Sequence, residues 1–375
     1  MPTSSYFKIL PVLILIGLTV FGCKKGEEPI ANIIKIGTAG PMTGDQSAFG
    51  QDQQNGVKLA VEEWNLKGGV LGKKIELVVG DDQHDPKQAV SVANKMVNDG
   101  IAGMVGHFNS SCSLPASRIY NEQKIPVITH GSTNPQLTEQ NFKGIFRICG
   151  RDDQQGKKAA EFVINDLKAK SVAILHDKTT YGQGLADEFR KGVEGEVKVT
   201  YHGGLTQGDK DFSAVLTNVK TGNPDLIYFG GIYPEGGLLV KQSRALGIKA
   251  PLMSGDGVIG DEFLNIAGAD AEGTYATFAP DVSKIPSATG FVRTYTKKHG
   301  KPGPYSVYAY VAANVLLQGI KDANSTDGGK ISEAIRKTKY DGALGTIEFD
   351  EKGDIKVSPY VIWQVKGGKW EQITK

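Results

Sequence analysis

Two short segments of this chain, His107-Phe108-Asn109-Ser110-Ser111 and Thr129-His130-Gly131-Ser132-Thr133, place hydroxyls directly after apolar runs of strand character, residues 103–106 and 125–128. In an open α/β sheet, ligands bind just beyond the carboxyl ends of strands, where the chain turns toward a helix. Hydroxyls and free backbone N–H groups gathered there suit a small anion such as a carboxylate. An acidic counterpart, Asp256, follows a later strand-like run at 250–253. A cleft with one end for an anion and the other for a cation suits a zwitterion.

Each of these residues also has a plain structural use. Hydroxyls at strand ends commonly cap the following helix, and an aspartate between glycines is a common turn residue. Position alone leaves binding and capping evenly matched. Ser110 and His130 at neighbouring strand ends could also act as nucleophile and base of a hydrolase, but the sequence supplies no evident orienting acid. No Walker A loop, nucleophile elbow or H-E-x-x-H motif occurs. Tyr181-Gly182-Gln183-Gly184 lacks the third glycine of a dinucleotide fingerprint and reads as a helix start. The 6 histidines are dispersed, none with a partner at ligand spacing, so neither a metal nor a cofactor is expected.

The elements that must position these residues alternate along the chain. Strand-length apolar runs near 33–36, 75–79, 171–175, 226–229 and 251–253 are separated by helical periodicities such as Val57, Ala60, Val61 and Trp64, or Val90, Ala93, Met96 and Val97. Asp85-Pro86 reads as an N-cap with proline in the first helical position. Repeated βα units of this kind predict a mainly parallel sheet with helices on both faces. The rhythm breaks after 145–150, again after 274–278, and near the C-terminus, where 345–349, 360–365 and Gly367-Gly368 read as antiparallel hairpin material.

Bulk properties bound the function. Lys and Arg total 43 against 41 Asp and Glu, and no basic patch with interleaved aromatics occurs, so no nucleic acid partner is expected. Residues 11–21 form an apolar run after a positively charged start and end at Gly22-Cys23, which resembles a bacterial lipoprotein signal spanning residues 1–23 with Cys23 as the lipidated residue. About 350 residues then remain, enough for two cores. Cys112 and Cys149 are too few for a disulfide scaffold and read as small buried thiols.

The stretches 80–90 (GDDQHDPKQAV), 106–111 (GHFNSS), 176–184 (HDKTTYGQG) and 349–354 (FDEKGD) resemble the leucine/isoleucine/valine-binding proteins of bacterial ABC importers, in order and from about Ile33 onward. The resemblance implies a type I periplasmic-binding fold: two doubly wound Rossmann-like α/β lobes on a three-crossover hinge near Arg151, Phe278 and Val357. Lobe 1 would comprise 33–151 and 279–357, and lobe 2 would comprise 152–278 and 358–375. It further implies a non-enzymatic carrier, monomeric and exported to the periplasm or cell envelope. Its partners would be an amino acid, most naturally branched-chain or aliphatic, and the permease and ATPase subunits in the membrane. Ser110 and Thr133 match the residues that hold the α-carboxylate, with Ser111 and Ser132 beside them; Gly131 offers a carbonyl to the α-ammonium, and Asp256 pairs with it. Phe49, Tyr181 and Tyr305 match aromatic wall positions, with Tyr233 one place from another. His84 and Asn109 stand where some members have a disulfide. A receptor module, or an amide- or urea-binding protein of the same fold, is the alternative.

Overall fold

A computed structural model describes residues 1–4 and 33–373; the proposed leader cut at Cys23 lies outside them. The first sheet is built from β1 (Ile33–Gly40), α1 (Ser47–Leu66), β2 (Lys74–Asp81), α2 (Pro86–Asn98), β3 (Met104–Gly106), α3 (Ser110–Glu122), β4 (Val127–Thr129), α4 (Gln136–Glu139) and β5 (Ile145–Arg147). Its strands run parallel in the order β2-β1-β3-β4-β5. The chain then crosses into α5 (Asp152–Asn165), β6 (Ser171–His176), α6 (Thr180–Val193), β7 (Lys198–Gly204), α7 (Ser213–Gly222), β8 (Leu226–Gly230), α8 (Tyr233–Ala245), β9 (Leu252–Ser254), α9 (Asp261–Ala267) and β10 (Tyr275–Phe278). It returns to cover the first sheet with α10 (Thr289–His299), α11 (Ser306–Ala323) and α12 (Gly328–Lys337), followed by the small hairpin β11 (Tyr340–Gly342) and β12 (Gly345–Ile347). A third passage ends in β13 (Val361–Lys366) and β14 (Lys369–Gln372), which add antiparallel strands to the second sheet, ordered β14-β13-β10-β9-β8-β6-β7.

The parallel α/β expectation therefore holds, with two refinements. Residues 345–347 pair back onto 340–342 and not onto the strands of the 360s. The edge strand β7 escaped the sequence reading because its residues KVTYHGG lack a continuous apolar run and end in two glycines.

Local signals explain the segments that matter. Asp85 caps α2, its carboxylate accepting the N–H groups of Lys87 (2.7 Å) and Gln88 (2.9 Å), with Pro86 at the first turn. Gly100, at φ +73°, follows the helix in a conformation that β-carbon-bearing residues avoid. Both faces of each sheet are covered, so the central strands are largely apolar and buried. Ile34, Ile36 and Val105 pack toward α1 and α11, while Met104, Met96 and Tyr120 pack on the other face. In the second sheet Phe189 of α6 stacks on Tyr228 of β8 at 3.7 Å between centroids.

The pairing of α1 with α11 fixes the mouth of the site, because Phe49 opens one helix and Tyr305 precedes the other. Asp52 of α1 ties them, accepting the backbone N–H of Tyr305 (2.8 Å) and Gly303 (3.1 Å) and the Tyr295 hydroxyl (3.1 Å). Burial pushes its carboxyl up to about 6 despite these donors. Close approach of the helices depends on Gly56, where an added Cβ would sit 2.3 Å from the Ser306 carbonyl oxygen. Gly56→Ala is expected to destabilise the protein by about 1–3 kcal/mol through overpacking, read from a lower urea midpoint with an unchanged slope.

Candidate functional site

Both sheets present the carboxyl ends of their strands to one cleft, and each strand order reverses there: between β1 and β3 in the first sheet and between β6 and β8 in the second. The loops after β3 and β4 meet those after β6, β8 and β9. Between them lies a cavity of about 20 Å³, lined by Phe108, Asn109, Ser110 and Gly131 from one side and by Tyr181, Ile232, Asp256 and Gly257 from the other, with Tyr305 reaching across. That space holds about one water molecule.

Asp256, buried at the end of β9, is the electrostatic centre of the second side. Its Oδ1 accepts the Tyr181 hydroxyl (2.7 Å) and Gln155 Nε2 (3.0 Å), and its Oδ2 accepts the Tyr305 hydroxyl (3.0 Å). Gln155 closes the loop by accepting the Asp256 N–H at 2.7 Å. Burial raises the Asp256 carboxyl above its ordinary range, and the three donors pull it back only in part. The Tyr181 and Tyr305 hydroxyls are raised well above theirs, by burial and then by the charge of Asp256.

A second acid joins it. Asp152, the first residue of α5, is fully buried, and neither carboxylate oxygen has a hydrogen-bond partner. Burial and then the nearby Asp256 charge push it well above the ordinary carboxylate range. Sequence reading passed over Asp152 because acids in the first turn of a helix ordinarily serve the dipole. Gln155 was missed likewise, since its bond to Asp256 spans a long stretch of chain.

The opposite side carries the donors. Ser110 and Ser111 open α3, so their N–H groups have no intrahelical acceptor. Ser110 Oγ accepts the Asn134 N–H at 3.3 Å. Thr133 is buried with its hydroxyl unpartnered, and its carbonyl accepts the Asp152 N–H at 3.0 Å. Asn134 also reaches the other side, donating from Nδ2 to the Thr180 carbonyl at 2.8 Å.

Ten sequence-predicted residues thus sort into three groups. Ser110, Gly131, Tyr181, Asp256 and Tyr305 line the cavity. Phe49 and Tyr233 stand one layer back: the Phe49 ring packs on Phe108, Tyr233 and Tyr305 at 5.0, 4.9 and 5.2 Å, and the Tyr233 hydroxyl donates to the Asp45 carbonyl at 2.6 Å, leaving Ile232 as the lining residue. Thr133 adjoins the cavity loops, whereas the Ser132 hydroxyl turns inward to Ser113 Oγ (2.6 Å) and the Phe108 carbonyl (2.8 Å). Ser111 is half-buried beside the cavity without lining it.

Two further sequence readings meet the structure here. His130 is buried against Phe108, neither ring nitrogen has a hydrogen-bond partner, and burial pushes it down to about 3. It makes no bond to Ser110, so the nucleophile–base contact of a hydrolase is not formed. His84 and Asn109 are joined through Gln46, whose side chain meets the His84 ring and whose Oε1 accepts Asn109 Nδ2 at 2.9 Å; Gln207 from the other side also meets His84, at 2.8 Å. Cys112 and Cys149 are both buried and unpaired.

The profile of the family described as periplasmic binding protein matches residues 33–369. The chain is 41% identical over 341 residues to the Leu/Ile/Val-binding protein homolog 1 of Brucella suis, covering 90% of this chain and 91% of that one. The crystal structure of the leucine binding protein LivK from Thermotoga maritima superposes with a TM-score of 0.86 at 36% identity, covering 91% of this chain and 98% of that one. That of the branched-chain amino acid transporter substrate binding protein LivJ from Streptococcus pneumoniae, in complex with isoleucine, superposes at 0.84 and 29% identity, covering 92% and 100%.

An unpaired buried carboxyl costs stability once the pH rises through its raised value. Asp152→Asn is therefore expected to stabilise the unliganded protein by about 1–3 kcal/mol near neutral pH, a gain that vanishes below pH ~3, where the acid is protonated in both states. Thermal unfolding followed at the two pH values checks both halves of this expectation.

Proposed function

The chain belongs to the periplasmic binding protein family, and from that premise we propose that it is the substrate-binding protein of an ABC importer, taking an amino acid with a branched-chain or aliphatic side chain. One observation carries the reading: a cavity between the two sheets is walled by Ser110 and Gly131 on one side and by Asp256 on the other. Burying either charge of a zwitterion unpaired is costly, so both ends need partners. The N–H and hydroxyl groups of Ser110 and Thr133 receive the α-carboxylate. Asp256, with Asp152 beside it, receives the α-ammonium, and the Tyr181 and Tyr305 hydroxyls orient the acid. Phe108, Ile232 and the Tyr305 ring grade the side chain by apolar contact, with Phe49 packed behind them, each buried methylene contributing about 0.8 kcal/mol.

Closure follows from the same geometry. The anion end belongs to lobe 1 (33–151 and 279–357) and the cation end to lobe 2 (152–278 and 358–375), so only the closed form satisfies both charges and the ligand shifts the population toward it. Contacts across the mouth support such a form: Lys210 pairs with Asp45 at 2.7 Å, and Lys301 with Asp261 at 2.9 Å. Both pairs are exposed and contribute little alone. The closed protein is what permease and ATPase subunits receive, with the carrier exported and held at the membrane through a lipid on Cys23.

Isothermal titration with leucine, isoleucine and valine is expected to show saturable one-to-one binding, and Asp256→Ala is expected to weaken it by at least about a hundredfold through loss of a buried charge partner. Because burial raises these carboxyls and they must ionise to pair with an ammonium, binding weakens as the pH is lowered from neutral through the acid range. Equal affinity across that range, or an undiminished Asp256→Ala, would sink the assignment.

A further inference from the structure

Arg147, at the end of β5, does not line the cavity, yet it is the largest fully buried side chain among the described residues. A guanidinium without water must satisfy its donors internally. It does so on three sides. Nη1 donates to the carbonyls of Ser132 (3.0 Å) and Asn134 (2.8 Å), Nη2 donates to Thr138 Oγ1 (2.6 Å), and Nε donates to Asp354 Oδ1 (2.8 Å).

The two carbonyls flank Thr133. The Ser132 carbonyl belongs to the same peptide group as the Thr133 N–H, and in a trans peptide the two point in opposite directions. A cation bonded to that carbonyl draws electron density toward it and makes the N–H a stronger donor, in the cooperative manner of linked hydrogen bonds. The Thr133 N–H donates to no protein group among the described residues. Its neighbours do: the Ser132 N–H is taken by Thr129 Oγ1 at 3.0 Å and the Asn134 N–H by Ser110 Oγ at 3.3 Å. The loop is held on both sides of the one amide left free.

We propose that Arg147 is a positioning residue for the anion end of the cleft, clamping the Ser132–Asn134 backbone and strengthening the Thr133 N–H toward a ligand carboxylate. Asp354 links the clamp to the passage between β12 and β13. Its Oδ2 accepts Thr138 Oγ1 at 2.9 Å and Arg151 Nη1 at 2.8 Å, and its backbone bridges Arg147 in parallel register. Two crossovers and the anion loop therefore share one buried ion-pair network. Burial alone would raise Asp354, but Arg147 and Arg151 outweigh it and hold its carboxyl below the ordinary range. Asp354 therefore stays ionised at neutral pH.

This role rests on the amino acid reading and is tested with leucine and leucinamide, which share side chain and ammonium but not the carboxylate. In Arg147→Gln, leucine binding is expected to fall by about tenfold to a hundredfold, the size of a charge-assisted hydrogen bond, while leucinamide binding changes by less than about twofold. Arg147→Lys, which keeps the charge, recovers part of the leucine affinity. A purely structural role would weaken both ligands alike, and that result overturns the proposal. Should both variants fail to fold, Thr138→Val, which removes one partner of the Arg147 guanidinium, is read the same way: a selective loss of leucine affinity supports the role, and an equal loss for leucine and leucinamide, or no loss, overturns it. Wild-type protein that binds no leucine refutes the functional reading and this role with it, whereas wild-type binding with unchanged ligand selectivity in Arg147→Gln refutes the role alone.

Discussion

A carboxylate in a dry cleft is the constraint around which the site is arranged. Asp256 has three side-chain donors, from Tyr181, Gln155 and Tyr305, yet burial still leaves its charged form disfavoured. Neutral donors spread the charge without cancelling it, and Asp152 nearby adds repulsion. A protein that keeps two such acids under cover stores an unfavourable interaction that a cation relieves.

The second sheet supplies the acid and the first supplies donors, and both follow from strand order. In each sheet the order reverses beside the cleft, so loops diverge there and leave backbone N–H groups free. The aromatic cluster of Phe49, Phe108, Tyr233 and Tyr305 then fills the space between helices with edge-to-face and tilted contacts. Membership of the periplasmic binding protein family accounts for the shared architecture; the balance of charges in this cleft belongs to the individual side chains.

Much of this was legible in the sequence, for identifiable reasons. Parallel strands covered on both faces carry continuous apolar runs, so β6 and β8 announced themselves, β1 opened on a shorter run, and Asp256 stood out as an acid after a strand end among glycines. Orientation was harder to read. Ser132 and Ser111 sit beside true lining residues, but one step along a turn sends the hydroxyl elsewhere, inward for Ser132 and to the rim for Ser111. Tyr233 and Ile232 exchange roles for the same reason. Asp152 and Arg147 were invisible because each acts across distant segments: one faces an acid of another loop, the other gathers residues 132, 134, 138 and 354.

The joint made by His84, Gln46 and Asn109 has a biosynthetic consequence. These three side chains close their corner by hydrogen bonds, and the two described thiols stay apart in the core. Maturation of this folded region therefore needs no oxidant and no isomerase to shuffle sulfur partners. A reducing environment leaves this joint untouched.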